Sequence, residues 1–346
     1  MRPLETARVA AKRIGWHRYA VVYLRFMGGG LSAVMPVKLT GRHYANNVGY
    51  CDTLFSSFRH FGLKDIFSEF LIIVVPDEAE SVRDYANAWS DFPIRIISEE
   101  ELLPVFRRYN RPHQVRPWHR QQMIKIACSS VVASGTYLSL DPDVIAVKDM
   151  TADELVPHGL PLLDQESRSE HPEWWIESAR LLEVEPNLSE PGVHVTPILF
   201  RSEVWARCFA RLEEVWKRPW DETLITTPET WTEATLYYLT LENYFVPSAV
   251  HRIGSERRLH STVEFWMKED FDQKDVSAFF SPDNPGLFGV LSSSAKVDPH
   301  DTATRLAPWI PVTIQPYTAE ESLRARAEEL SEKVVRYLRL HLRFKR

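Results

Sequence analysis

In the stretch Tyr137-Leu138-Ser139-Leu140-Asp141-Pro142-Asp143-Val144, an apolar strand runs straight into two carboxylates one residue apart. Inside a strand those side chains would point to opposite faces. Where the strand ends the chain turns, and Pro142 fixes its own φ, so both carboxylates can converge on one site. A pair so placed suits Mn²⁺ or Mg²⁺, whose charge would neutralise the oxygens of a departing diphosphate. The plainer account of such a triplet is a solvated turn. Upstream lies Pro117-Trp118-His119-Arg120-Gln121-Gln122-Met123-Ile124-Lys125. On a helix Gln121 and Lys125 share a face at i,i+4 with Arg120 beside them, which offers donors and cations to a nucleotide diphosphate. Its plainer account is a helix with ordinary exposed charges.

The elements that must position these groups alternate along the chain. Strands are expected at Ala33 to Thr40, Phe70 to Val75, Ile94 to Ile97 and Tyr137 to Leu140, with Pro36 marking the first as irregular or at an edge. Helices are expected from Tyr44 to Phe61, Glu78 to Trp89 and Pro117 to Val132. The pattern predicts an α/β fold with a mostly parallel sheet flanked by helices. Ligands of such sheets sit beyond the carboxyl ends of the strands, so the residues just past Thr40, Val75 and Leu140 should line one crevice. Beyond Met150 the pattern loosens, with Trp174 and Trp175 on a short helix and a strand at Val195 to Phe200. Helices follow at Ser202 to Val215 and Thr230 to Tyr244, in a half expected to complete the sheet and shape an acceptor site.

Composition bounds the function. A chain of 346 residues with 44% hydrophobic content supplies an ordinary buried core. A formal net charge of -6 argues against bulk nucleic-acid binding. Cys51, Cys128 and Cys208 are odd in number and far apart, which fits neither a disulfide framework nor a zinc site and points to a reducing cytoplasm. No apolar run approaches the roughly 20 residues that span a bilayer. Residues 1–30 read as a basic helical extension and residues 318–346 as an amphipathic basic helix, which leaves 31–317 as the catalytic domain. Both terminal segments offer a surface for peripheral contact with an anionic membrane; packing on the domain is the simpler role.

The order of a strand, an Arg-Gln-Gln helix, a Leu-Asp-Pro-Asp strand end and a later Trp-Thr-Glu helix resembles the GT-A glycosyltransferase superfamily. More closely, it resembles the poorly characterised bacterial glycosyltransferase-like proteins with an LDxD strand end and a WTE-x-x-LYY helix. The pattern spans roughly Ala33 to Ile310. The resemblance implies a Rossmann-like GT-A domain that moves a sugar from a nucleotide-diphosphate donor to a glycan, lipid-linked or other hydroxyl acceptor. It implies that Asp143 binds the metal and that Asp141 contacts the ribose or the metal's shell. By the same analogy Glu233 lies near the acceptor as the general base, although Thr230, three residues earlier, would make Glu233 part of a capping box instead. A C-terminal histidine often completes the metal site, and His260 is the choice here over His251 and His300. Donor contacts fall at the ends of the first two strands, to Lys38, Thr40 and Asp77, the last also a natural turn or N-cap residue. His194 and Trp231 are candidates to line the acceptor site.

Three other functions use similar parts. A haloacid-dehalogenase-like phosphatase also has an acid pair after a strand, but that motif opens its domain. A nucleotidyltransferase should show a glycine-rich phosphate loop, which is missing beside the first strand. A sugar- or nucleotide-binding protein with the same fold and no turnover is the non-enzymatic alternative.

Overall fold

The computed structural model describes residues 30–39, 47–109, 114–227 and 230–315. The expected terminal helices, Thr40 and the start of the first expected helix lie outside these. The strands in chain order are β1 (Leu31–Val37), β2 (Phe67–Val74), β3 (Ile94–Ser98), β4 (Thr136–Ser139), β5 (Val144–Ala146), β6 (Leu162–Leu163), β7 (Ile198–Arg201), β8 (Arg252–Ile253), β9 (Arg258–His260) and β10 (Gly286–Val290). The longer helices are α1 (Asn47–His60), α2 (Ala79–Ala86), α3 (Pro117–Ala127), α4 (Pro172–Leu182), α5 (Ser202–Trp216), α6 (Trp220–Thr226), α7 (Glu233–Tyr244) and α8 (Pro299–Leu306). No helix among the described residues is long and apolar enough to cross a membrane.

The central sheet has the order β3-β2-β1-β4-β7. β1 pairs in parallel with both β2 and β4, β2 pairs in parallel with β3, and β7 runs antiparallel to β4. The architecture is therefore α/β with a mostly parallel sheet flanked by helices, as the alternation of elements predicts. Its strands are apolar nearly throughout because both faces are covered. Val34, Leu71, Ile73, Tyr137, Ile198 and Phe200 join one core with α3, α4, α5 and α7. Their chain neighbours Ala33, Met35, Phe70, Ile72, Leu138 and Leu199 join a second core with α1 and α2. A smaller sheet, β5-β10-β9, packs on this second side and carries the chain directly onward from Asp143.

The register of β1 against β2 shifts between Leu31 and Ser32, but the strand is central, which corrects the edge position of the two readings raised by Pro36. The reason lies in register. Leu140 donates its amide to Val34, the last contact on the β4 side. Pro36 lies two residues on, its missing N–H facing the same side, where β4 has already turned away and no ladder bond is lost.

Candidate functional site

The strand order reverses between the neighbours β1 and β4, with β2 and β3 following β1 on one side and β7 lying beyond β4 on the other, so the crevice beyond their carboxyl ends is a switch point of the topology. Asp141 stands there, two residues past β4. α3 links β3 to the parallel strand β4, so it must run antiparallel to both and start at this same end of the sheet. Its i,i+4 pair meets Asp141 from above. Gln121 Nε2 donates to Asp141 Oδ1, and Lys125 Nζ lies 2.9 Å from Oδ1 and 3.1 Å from Oδ2.

Lys125 is only 1% exposed. Its ammonium also donates to Glu233 Oε1 at 3.0 Å, so one buried cation bridges two carboxylates 92 positions apart in the chain. Burial alone would lower the Lys125 pKa, but Asp141 and then Glu233 more than reverse it, and the amine stays charged. Burial holds the Glu233 carboxyl above its ordinary range against the pull of Lys125. Glu233 is the first residue of α7, and its amide donates to Gln122 Oε1 at 3.1 Å, which ties α7 to α3. The capping box at this terminus is formed by Thr232 and Thr235, not by Thr230 and Glu233. The Glu233 carboxylate is thereby left to Lys125.

Asp143 is buried. Its Oδ2 accepts the Ser293 amide at 2.6 Å and its carbonyl accepts the Leu291 amide at 2.9 Å, which fixes it between β5 and the loop after β10. Burial, followed by the charge of Asp141, raises its pKa from 3.8 to about 6. A buried carboxylate whose ionisation is opposed by burial and by a neighbouring charge is the environment in which a divalent cation is favoured, since it relieves both the repulsion and the desolvation. Tyr50, whose pKa burial and then Asp143 push up to about 12, donates its hydroxyl to the Val297 carbonyl at 3.1 Å.

The remaining candidates scatter. Arg120 turns away from Asp141 to pair with the buried Glu99, just past β3, and its guanidinium lies 4.2 Å from the Phe106 ring centroid. Asp77 is exposed in a short 3₁₀ turn and makes no capping bond. Its neighbour Glu78 faces inward and accepts the Leu39 amide at 2.6 Å, bracing the end of β1 where Lys38 stands half-buried. Trp231 lies ahead of α7 rather than on it, is 1% exposed, and packs edge-on against His119 with ring centroids 5.0 Å apart. The ring proposed from sequence to line the acceptor site is thus enclosed by protein in this structure.

His260 belongs to a second cluster. It pairs across β10 from β5, two strands from the segment that follows Asp143. Its Nδ1 meets Asp164 Oδ2 at 2.9 Å and its Nε2 meets the Val195 carbonyl at 3.0 Å, so both nitrogens are occupied. Burial and then His194 hold its pKa below the usual range. Among the described residues no three His, Cys, Asp or Glu side chains gather as a metal would need, so His260 does not join the acid pair here. His194 stacks on His260 at 3.6 Å and places Nε2 3.0 Å from Glu264 Oε1. Burial would lower the His194 pKa, but Glu264, Glu166 and Asp164 reverse this and raise it. Because Ser139 pairs with Ile198 antiparallel, the segment ending at Pro197 enters the sheet at the end where β4 leaves it.

Sequence reasoning passed over Glu78, Glu99, Asp164 and Glu264. For the first two a signal existed: each is an acid within a few residues of an apolar strand's carboxyl end. Asp164 also follows a strand, β6, but a two-residue strand leaves no periodic trace.

The model of a family of unknown function, DUF6492, matches residues 29–314. The chain belongs to that family. No curated protein matches it by sequence. Among solved structures it is similar in outline to core-mannan synthase A of Aspergillus fumigatus in a Mn/GDP form, at 9% identity and a TM-score of 0.43, over 66% of this chain and 73% of that one. Mouse xyloside xylosyltransferase 1 gives 11% identity and a TM-score of 0.43 over 75% and 97% of the two chains. The galactosyltransferase LgtC with donor and acceptor sugar analogues gives 13% and 0.45 over 85% and 100%. Likeness at this level assigns neither activity nor substrate.

Proposed function

We propose that this chain is a metal-dependent GT-A glycosyltransferase that transfers a sugar from a nucleotide diphosphate to a hydroxyl acceptor. The observation that carries the reading is the Asp141–Pro142–Asp143 turn at the switch point of the sheet. There one carboxylate is held by Gln121 and Lys125, and the other is a buried acid whose ionisation its neighbour opposes. The sequence order of LDxD strand end and WTE helix supports it. The DUF6492 family description leaves the activity open.

In this reading Asp143 and Asp141 would hold Mn²⁺ or Mg²⁺, which supplies charge to stabilise the departing diphosphate. His260, proposed from sequence as a third ligand, would have to give up Asp164 or Val195 to serve. Lys38 and the end of β1, braced by Glu78, border the donor crevice. Lys125 supplies a fixed positive charge beneath it and keeps Asp141 from turning away. Glu233 acts as the base: the acceptor oxygen attacks the anomeric carbon, the bond from that carbon to the diphosphate oxygen breaks with its electron pair, and the hydroxyl proton passes to Glu233. Burial raises the basicity of that carboxylate, which suits the task, while Lys125 engages Oε1 and orients the group.

The test is nucleotide release from a panel of sugar nucleotides with Mn²⁺. Turnover that needs metal and disappears in Asp143→Ala, with the folded state intact by circular dichroism, is expected. Equal turnover in chelator, or in that variant, contradicts the metal assignment.

A further inference from the structure

A cavity of about 630 Å³ opens at the start of α3. One wall carries Gln114, Arg116 and His119, and the other carries Thr226, Thr227 and Thr230 from the end of α6 and the approach to α7. Because α3 begins at the carboxyl end of the sheet, the cavity lies at the same end of the sheet as Asp141. It also borders the Glu233 region. Thr230 lies three residues before Glu233, His119 packs on Trp231, and Gln122, about one helical turn beyond His119, binds the Glu233 amide.

Its chemistry is that of hydroxyl recognition. The three threonines, Gln114, Arg116, His119 and Tyr109 line it, and no carboxylate does among the described residues; the Thr226 and Thr227 hydroxyls donate to carbonyls of α6 and face a ligand as acceptors. The volume falls within the roughly 300–1,000 Å³ of small-molecule sites. Next to His119, Trp118 is 38% exposed and packs against Trp174, on which His171 stacks at 3.8 Å. A polar lining that also includes the ring of Tyr109 and the apolar side chain of Ile225 matches a ligand with hydroxyl edges and apolar C–H faces. That ligand class is the saccharides.

We propose that this cavity is the acceptor site and that it takes a saccharide, with the reactive hydroxyl directed toward Glu233. The assignment rests on the glycosyltransferase reading, and it places the acceptor on the α3–α6 side, away from the His194–His260 cluster. It predicts that filling the cavity separates transfer from donor cleavage by water.

Thr230→Trp fills the opening at an exposed position, and Gln114→Ala with Arg116→Ala removes donors from the facing wall. Val246→Ala, at a 64% exposed position, is the control. Each variant is assayed for Mn²⁺-dependent nucleotide release and for transfer to a panel of methyl hexosides, N-acetylhexosaminides and hexuronides. Binding of the same panel is followed by saturation-transfer NMR. The expected result is a fall of about tenfold or more in the ratio of transfer to hydrolysis for both cavity variants, expressed in acceptor KM, with no change in the control. Saccharide signals should vanish in Thr230→Trp. Unchanged saccharide binding or an unchanged ratio in that variant overturns the cavity assignment, as does a panel in which no saccharide binds the wild type. Saccharide binding that Thr230→Trp abolishes, in a wild type that releases no nucleotide from any donor, overturns the transferase reading and leaves the cavity as a sugar site.

Discussion

Replacing Asp143 with Asn should stabilise the metal-free protein at neutral pH. In the folded state the Asp143 carboxyl titrates near 6 instead of 3.8, because it is buried and faces Asp141. Between those two values the folded chain binds more protons than the unfolded one, so stability falls as pH rises through the window and stays low above it. A tenfold change in proton affinity corresponds to about 1.4 kcal/mol, which caps the penalty at about 3 kcal/mol at pH 7. A gain of about 1–3 kcal/mol is therefore expected for Asn. The amide side chain keeps an oxygen for the Ser293 N–H, so no hydrogen bond need be lost. Urea unfolding in chelator at pH 7 and again near pH 4 reads the difference directly. The variant should be the more stable at pH 7 and the two should converge in acid. Adding Mn²⁺ should reverse the order at pH 7, since only the wild type gains binding energy. An Asn variant that is less stable at pH 7 in chelator, or a difference that does not change with pH, would refute this account of the acid pair.

Three further outcomes follow from the same geometry. Lys125→Met strands two carboxylates in a dry site and should cost about 3–5 kcal/mol in urea unfolding, with part of the loss recovered by adding Glu233→Gln; a cost near zero would mean that the bridge is not formed in solution. Mn²⁺ binding followed by calorimetry in buffers of different ionisation enthalpy should release protons and weaken as pH falls below about 6, because the metal needs Asp143 ionised; pH-independent binding would point to other ligands. Gly286→Ala would place a methyl 2.3 Å from the Ser261 nitrogen and 2.4 Å from the His260 carbonyl, so β9 must shift. A thermal midpoint lowered by several degrees is expected together with altered His260 ring resonances by NMR, and wild-type values of both would show that the contact relaxes freely.

Much of the fold was legible because both faces of the sheet are covered. Residues 70–74 of β2 read as an unbroken apolar run, and the apolar run of β4 stops at Leu140, just before Asp141. The shared face of Gln121 and Lys125 on α3 was legible from their i,i+4 spacing, but it pointed to a diphosphate and not to Asp141, which both side chains bind. The direction of Arg120 was not legible. One position on the helix changes its azimuth by about 100°, and the competing acid, Glu99, lies 21 residues earlier on another element. The Lys125–Glu233 bridge was hidden for the same reason, joining residues 108 apart. Pro36 misled because proline in a strand signals an edge, whereas here the partner strand ends before proline's missing donor would be needed. His260 was chosen by interval along the chain, and sequence spacing says nothing about Asp164, which reaches it from 96 residues away.

The most direct measurement is calorimetric titration of nucleoside diphosphates into wild type and Asp143→Asn, with Mn²⁺ and with chelator. Binding by the wild type that requires the metal, and none by the variant under either condition, is the predicted result. Equal affinity in chelator, or in the variant, would contradict a cation held between Asp141, Asp143 and a diphosphate.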